Sequence, residues 1–431
     1  MDLLNLTGSE AAELIREKTI SSVELTEACL NRIAQRNPEV GAFTFFDPEY
    51  SLTQARAADN EPIKSKLHGV PFGVKDVIDT ADFPTERGTP IHKGRRPTTD
   101  ATCVKLMREA GAVLMGKVVT TEYAMFTPNE TRNPHNTDFT AGGSSSGTGA
   151  SVADKMVPMA FGNQTAGSLI RPAAFCGVYG LKPTHGTTDG AGILPLQPYF
   201  DTLGYMTRSV EDLRRFYSVI TQQNQTKIWP IKKKPKIGVC ETYQWEFAET
   251  ESREMLHQSA KQFEQLGADV EMIRLPDHYS SLVELHRLIL YHGISRSLAT
   301  DYKNKIELMS KGLRDVIEEG RSHSDKNYQS ALKEAEALRQ NVSDMFGHLD
   351  ALICPSTPGE APLGTYTGSP IFQVTWTLLG VPCINLPCGT GPNSLPVGVQ
   401  LIGRRFDDAN LLSLAERLMT NFKLIHLKNN K

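Results

Sequence analysis

The residues of this 431-residue chain best suited to acyl transfer are a serine in a small-residue turn and a strand-end lysine. Ser168 follows the small residues 165–167, and a serine oxygen beside successive backbone N–H groups can attack a carbonyl while those groups receive the oxyanion. Lys75 ends the apolar segment HGVPFGVK. Burial would lower the pKa of this lysine so that it can act as a base. The alternatives are a tight turn at Ser168 and a structural lysine paired with Asp76 or Asp79.

A second serine cluster lies in the small-residue run TAGGSSSGTGAS, within the segment 140–192 that holds 11 of the 34 glycines. Residues 143–147 match GxSxG, the nucleophile elbow of α/β-hydrolases, in which Ser145 would be the nucleophile and His348 or His426 the base. Three serines in such a run fit a backbone-rich pocket equally well. Both interpretations stay open on the pattern alone.

Other chemistries lack their motifs. The chain has no GxxxxGK[ST] phosphate loop, no GxGxxG after a strand and no HExxH. His286 and His292 fall on or beside an amphipathic pattern, which favours surface or packing roles over metal binding. We therefore expect no metal and no organic cofactor.

Predicted helices and strands alternate along the chain, as is typical of an α/β protein. These elements must position the residues named above. Two helices are predicted over 7–36, each with a capping box and with Pro38 closing the pair. Charged amphipathic helices near 209–222, 249–266, 281–302 and 325–347 form an elaboration over 205–350, and no clean linker separates it, so we expect one domain over 1–431. Predicted strands occupy 42–46, 69–77, 112–119, 156–161, 175–181, 236–240, 269–275, 351–354, 382–387 and 397–402.

Composition narrows the function classes. Lysine and arginine (46) nearly balance aspartate and glutamate (49), a net charge of −3, which gives no reason to expect nucleic acid or an anionic membrane as partner. The seven cysteines form no CxxC pair, so a reducing cytoplasm fits best. No signal peptide and no apolar run long enough to span a bilayer is apparent. We expect a cytoplasmic protein.

Three segments taken together, HGVPFGVKD, GGSSSG and QTAGSLIRPAAFCGVYGLKPT, resemble the amidase signature family in order and spacing. Further segments at 116–124, 201–213, 350–358 and 395–412 also look like family segments, so the resemblance covers essentially the whole chain. It implies an α/β fold with a large mixed β-sheet surrounded by helices. It also implies a Ser–cis-Ser–Lys triad.

Carried over by motif, the resemblance makes Ser168 the nucleophile, Ser144 the bridging serine after a cis peptide bond, and Lys75 the base. The oxyanion hole would comprise the backbone N–H groups of Thr165, Ala166, Gly167 and Ser168. Ser145 would support the triad through hydrogen bonds.

The chain departs from the commoner family motif DTGGSIR around the nucleophile. Gln164 stands where the aspartate is usual, Ala166 replaces a glycine, and Arg171 falls three residues after the serine instead of two. A neutral amide and a displaced arginine remove the usual Asp–Arg support. The variant resembles stand-alone amidases that act on small amides and ureido compounds.

The sequence therefore predicts an amidohydrolase that cleaves a small-molecule amide, anilide or ureido compound through an acyl-enzyme. The A-type subunit of a glutamine-dependent tRNA amidotransferase and a catalytically silent scaffold are the alternatives. A homodimer stays open. Candidate substrate contacts, each with core packing as the alternative, are Glu122, Phe126, Thr127, Tyr199, Phe200 and Trp376.

Overall fold

A computed structural model describes residues 1–223, 228–230 and 232–428. Within these residues one mixed sheet contains twelve strands and a two-stranded hairpin lies apart from it. The strands are β1 (Phe43–Phe46), β2 (Pro71–Lys75), β3 (Val113–Val118), β4 (Arg132–Asn133), β5 (Asn136–Thr140), β6 (Met159–Gln164), β7 (Tyr179–Lys182), β8 (Thr202–Thr207), β9 (Lys236–Cys240), β10 (Asp269–Ile273), β11 (Ala351–Pro355), β12 (Cys383–Thr390), β13 (Pro396–Ile402) and β14 (Ile425–His426).

The large sheet runs in the order β1-β3-β2-β6-β8-β7-β12-β13-β11-β9-β10, with β14 beside β12, and β4 pairs with β5 in the hairpin. Strands β3, β2 and β6 are mutually parallel, as are β11, β9 and β10, whereas the strands between these two groups pair antiparallel. Helices cover the sheet. The predicted α/β fold with a large mixed sheet is confirmed.

The helices carry the remaining regular structure. They are α1 (Gly8–Arg16), α2 (Ser22–Val40), α3 (Pro48–Asn60), α4 (Thr102–Glu109), α5 (Ser146–Ala153), α6 (Ile170–Cys176), α7 (Val210–Thr221), α8 (Thr250–Gln265), α9 (Leu282–Ser297), α10 (Ala299–Lys305), α11 (Lys311–Ser322), α12 (Asp325–Gln340), α13 (Val374–Leu378) and α14 (Asp408–Met419). None of the described helices is long and apolar enough to cross a membrane.

The amino-terminal helices follow the capping signals of the sequence. Thr7 and Ser21 each accept the backbone N–H three residues ahead, and the glutamate there bonds back to the cap residue. Pro38 does not close the pair as expected, because α2 continues to Val40 and ends at Gly41 in a left-handed conformation (φ 60°). A proline so close to the end costs one helical hydrogen bond, and the glycine provides the actual stop.

The predicted strand over 175–181 is partly wrong. Its first two residues, Phe175 and Cys176, are the last turn of α6, which ends at Gly177 with a φ of 69°. Only Tyr179–Lys182 is extended. A fully buried apolar run carries no periodicity that separates strand from helix, and the glycine stop was the signal that did.

The carboxyl ends of the parallel strands β2, β3 and β6 lie at one edge of the sheet, because their registers align Lys75 with Val118 and Val74 with Phe161. Strand β8 begins at the same edge, since Thr202 pairs with Gln164 in the antiparallel sense. In sheets of this kind ligands bind beyond the carboxyl ends of parallel strands. The candidate residues of the sequence converge at this edge.

Candidate active site

Lys75 is the last residue of β2 and has no exposed surface. Its Nζ donates to Ser144 Oγ at 2.7 Å and to Asn163 Oδ1 at 2.6 Å. Burial is the main cause that holds the pKa of Lys75 well below its usual value; the positive charge of Arg171 lowers it further and the negative charge of Asp201 raises it. Burial thus disfavours the charged form of this lysine, whose nitrogen contacts one serine hydroxyl and one amide oxygen.

The GGSSSG segment turns sharply into α5, and a cis peptide bond joins Gly143 to Ser144. Gly147 is required here, because a Cβ at this position would stand 2.3 Å from the backbone nitrogen of Val119 and 2.4 Å from the oxygen of Ala42. The glycine content of the run therefore lets α5 press against the ends of neighbouring strands, which holds Ser144 beside Lys75.

Ser145 is fully buried and does not present its side chain as a nucleophile elbow would. Its Oγ donates to the backbone oxygen of Asn163 at 3.2 Å and accepts the N–H of Asn163 at 3.4 Å. Its own N–H donates to the backbone oxygen of Ser168 at 3.2 Å. Ser145 thus ties the GGSSSG segment to β6 and to the serine that follows it.

The loop of residues 165–168 joins β6 to α6, and each carbonyl in its first three residues is held by another part of the protein. The oxygen of Thr165 contacts His286 Nε2 at 2.9 Å, that of Ala166 accepts from Thr377 Oγ1 at 2.6 Å, and that of Gly167 accepts from the Arg171 N–H at 3.1 Å. Because the C=O and N–H of a trans peptide point in opposite directions, the N–H groups of residues 166–168 face away from these anchors.

Gln164 and Arg171 do not pair with each other in place of the usual Asp–Arg support. Gln164 Oε1 accepts the N–H groups of Leu169 and Ile170 at 3.0 and 3.1 Å, and its Nε2 donates to Thr377 Oγ1 at 2.9 Å. The neutral amide of Gln164 therefore accepts hydrogen bonds at the start of α6 as a carboxylate would. Its NH2 group also donates to Thr377 of α13, which a carboxylate could not do.

Arg171 is buried, and one terminal nitrogen donates to the backbone oxygen of Gly143 at 2.6 Å. Its Nε and its other terminal nitrogen have no hydrogen-bond partner among the residues that the structure describes. Burial lowers the pKa of Arg171 to about 10, so the guanidinium stays charged at neutral pH. A buried cation with two unused donors lies three residues after Ser168.

Three residues that sequence reasoning missed complete the site: Asn163, Asp201 and His286. Asn163 receives the hydrogen bond of Lys75, and Asp201 Oδ1 accepts from Thr165 Oγ1 at 2.6 Å. His286 is buried on α9, stacks on Phe200 with ring centroids 4.4 Å apart, and has a pKa lowered to about 4 by burial. Asn163 was within reach of the motif, since it directly precedes Gln164, whereas the other two lie far away in sequence.

Two of the candidate substrate contacts, Glu122 and Thr127, form hydrogen bonds with a residue of the helical elaboration. Glu122 Oε1 accepts the N–H of Ser310 at 3.0 Å, and Thr127 Oγ1 contacts Ser310 Oγ at 2.7 Å. Ser310 caps the amino terminus of α11, a helix absent from the predicted elements. Phe126, between them, is half-buried and packs against the main core.

The aromatic candidates divide between surface and core. Tyr199 is half-buried, donates to Glu336 at 3.1 Å, and lies under the guanidinium of Arg339, 3.7 Å from its ring centroid. Phe200 is fully buried. Trp376 has no exposed surface, and its indole N–H donates to Cys354 Sγ at 3.3 Å. It is therefore a core residue, which was the alternative interpretation.

The described part of the chain contains no group of three His, Cys, Asp or Glu side chains placed to hold a metal ion. All seven cysteines are buried and unpaired.

Comparison with known proteins decides the family. The sequence model of a family described as Amidase matches residues 24–412. The chain belongs to the amidase signature family. Its relatives include the A-type subunit of the glutamyl-tRNA(Gln) amidotransferase of Myxococcus xanthus, which is 33% identical in an alignment that covers 96% of this chain and 97% of the relative. The corresponding protein of Bacillus pumilus is 31% identical at the same coverage.

Solved amidase structures of the family share the fold. A crystal structure described as an amidase superposes with a TM-score of 0.90 at 28% identity and covers 98% of this chain and 100% of its own. The peptide amidase of Stenotrophomonas maltophilia superposes with a TM-score of 0.83 at 26% identity, and the match covers 97% of each chain. Enzymes of this family are amidohydrolases, and some members are amidotransferases.

Proposed function

We propose that this protein hydrolyses a linear small-molecule amide through an acyl-enzyme on Ser168. The observation that carries the proposal is the contact of 2.7 Å between the buried Nζ of Lys75 and Ser144 Oγ, next to the 165–168 loop. A lysine that is neutral at physiological pH needs an adjacent hydroxyl to be useful as a base, and Ser144 provides it.

The proposed reaction uses Ser168, Ser144 and Lys75 in turn. Ser168 Oγ attacks the amide carbon while its proton passes to Ser144 Oγ, whose own proton passes to Lys75 Nζ. The N–H groups of residues 166–168 stabilise the oxyanion because the anchored carbonyls turn them away from the protein. Collapse breaks the C–N bond, and the proton returns from Lys75 through Ser144 to the leaving nitrogen. Water then attacks the ester by the same route, which releases the acid and restores Ser168.

Arg171 supports a narrower substrate class, namely small amides whose acyl part carries a carboxylate. A buried guanidinium with two unused donors is costly, and a carboxylate is the group that its fork geometry binds best. Because Arg171 and Ser168 lie on the same turn, such a group would sit close to the reacting carbonyl. Monoamides of dicarboxylic acids should therefore react faster than neutral amides of the same length.

The test is hydrolysis by the isolated chain of primary amides, anilides, ureas and acid-bearing monoamides, with release of amine or ammonia as readout. Ser168→Ala should abolish turnover, whereas Ser145→Ala, which loses only long hydrogen bonds to Asn163, should retain about a tenth of the activity or more. Equal activity of wild type and Ser168→Ala would refute the mechanism. Covalent labelling at Ser145 by a fluorophosphonate would favour the nucleophile-elbow alternative.

The second candidate function is that of the A-type subunit of an amidotransferase, which the 33% identity to the Myxococcus xanthus protein supports. It predicts tight co-purification with further subunits and little hydrolysis by the isolated chain. Turnover of amides by the chain alone, at the same rate with and without a cell extract, would exclude it.

A further inference from the structure

Asp201 lies directly before β8, at the edge of the sheet where β6 ends. Its Oδ1 accepts from Thr165 Oγ1 at 2.6 Å, and its Oδ2 accepts the N–H groups of Leu196 and Gln197 at 2.8 and 3.0 Å. One carboxylate therefore joins the turn before β8 to the 165–168 loop.

Asp201 also shares a cavity with a residue that contacts Lys75. It lines a cavity of about 290 Å³ together with Asn163, His185 and the segment 193–195. Asn163 is the residue whose Oδ1 receives the Lys75 hydrogen bond. Asp201 and the side-chain amide that accepts the Lys75 hydrogen bond thus line the same cavity.

The charges that act on Lys75 come from two elements packed around it. Arg171 of α6 disfavours its protonated form, and Asp201 favours it, whereas Ser144 and Asn163 are uncharged. Burial raises the pKa of Asp201, and the hydrogen bonds from Thr165, Leu196 and Gln197, together with the charge of Lys75, oppose that rise.

We propose that Asp201 is a positioning residue of this active site: its carboxylate holds the 165–168 loop through Thr165 and supplies the negative charge that opposes Arg171 at Lys75. The inference rests on the proposed function, since both effects act on Ser168 chemistry. Its two parts, the tether and the charge, can be separated by substitution.

The experiment measures the rate of covalent labelling of Ser168 by an alkyl fluorophosphonate from pH 5 to 10, which needs no knowledge of the natural substrate. Asp201→Asn keeps the shape, because the amide can accept from the two N–H groups and donate to Thr165. It removes the charge, so the pKa of Lys75 should fall. Since labelling needs neutral Lys75, the acidic limb of the rate profile should move to lower pH by about one unit.

Asp212→Asn is the matched control. Asp212 is a buried carboxylate that likewise accepts hydrogen bonds from one hydroxyl and two backbone N–H groups, those of Ser9 and Gly8, far from the site. This substitution should lower the melting temperature about as much as Asp201→Asn and leave the acidic limb of the rate profile in place.

Arg171→Met removes the opposing charge, so it should move the acidic limb of the rate profile to higher pH.

The tether is tested at Thr165 with the charge left intact. Thr165→Val should lower the plateau rate about 10-fold without moving the limb, and Thr165→Ser should restore it. An unmoved limb in Asp201→Asn, an equal shift in Asp212→Asn, or an unchanged plateau in Thr165→Val would overturn the inference. Labelling of Ser168→Ala at the wild-type rate would instead overturn the proposed function.

Discussion

Two fully buried lysines at the ends of neighbouring strands differ in one respect, the presence of a carboxylate in contact. Lys75 ends β2 and donates to a hydroxyl and an amide oxygen. Lys117 lies on β3 opposite Val74, hence on the other face of the sheet, with its Nζ 3.6 Å from Asp76 Oδ1.

Under the proposed function, this difference distinguishes a lysine that stabilises the fold from one that acts as a base. Burial lowers the pKa of Lys117 only to about 8 because the Asp76 carboxylate opposes the effect, and hydrogen bonds to Ile78 O and Thr85 Oγ1 satisfy its remaining protons. Within the described part of the chain Lys75 contacts no carboxylate, and burial together with the positive charge of Arg171 holds its pKa well below its usual value. Both lysines are buried, so the carboxylate in contact with Lys117 is what distinguishes their electrostatic surroundings.

The largest effect should come from Lys75→Met. It removes the proton acceptor of Ser144, so amide turnover should fall about 10⁴-fold. The free energy of unfolding should change by only about 1 kcal/mol, because no charged partner is left behind. Turnover and urea unfolding of the same preparation check both parts. Retained turnover, within about 10-fold of wild type, would show that Lys75 is as structural as Lys117.

Lys117→Met should give the opposite pattern. Asp76 would lose its counter-charge in a buried site where its pKa is already raised to about 6, which should cost about 3 kcal/mol of stability. Turnover per folded molecule should stay within about threefold of wild type. A urea midpoint equal to that of Lys75→Met would show that the two lysines contribute equally to stability, which would contradict this comparison.

Asn163→Asp would convert the Lys75 site into one like that of Lys117. A carboxylate against Nζ raises the pKa of Lys75, so the lysine would be protonated at neutral pH and turnover at pH 7 should fall about 30-fold. Because the loss is a matter of protonation, much of it should return by pH 9. A loss of the same size at both pH values would mean that the substitution acts by distortion.

The smallest effect should come from Gln164→Ala, which touches neither lysine. It removes the acceptor of two N–H groups at the start of α6 and the contact with Thr377, so we expect about 1.5 kcal/mol of lost stability and a several-fold fall in turnover with the pH profile unmoved. A shifted pH profile would show that Gln164 also contributes to the charge state of Lys75.

Much of this edge of the sheet could be predicted from sequence because it is built from local motifs. Lys75, the GGSSSG turn and the 165–168 loop each carry their chemistry within a few residues. The alternation of elements likewise predicted an α/β protein, and the resemblance to the amidase signature family implied the large mixed sheet.

The anchors of the site could not be predicted in this way. His286 and Thr377 reach the loop from 121 and 211 residues away, as the tertiary fold dictates. The two lysines illustrate the same limit. Lys117 lies in a buried strand much as Lys75 does, and the positions of the Asp76 carboxylate and of Arg171, which the tertiary fold sets, distinguish them.

In the proposed mechanism, Lys75 is neutral at physiological pH and activates Ser168 through Ser144. The rate of fluorophosphonate labelling of the wild-type protein, followed from pH 5 to 10 with the labelled peptide identified by mass, tests it most directly. We expect a label on Ser168 and a rate that rises at acidic pH and is level from neutral pH upward. A rate that still climbs through pH 10, as for a lysine of ordinary pKa, or a label on another serine, would contradict it.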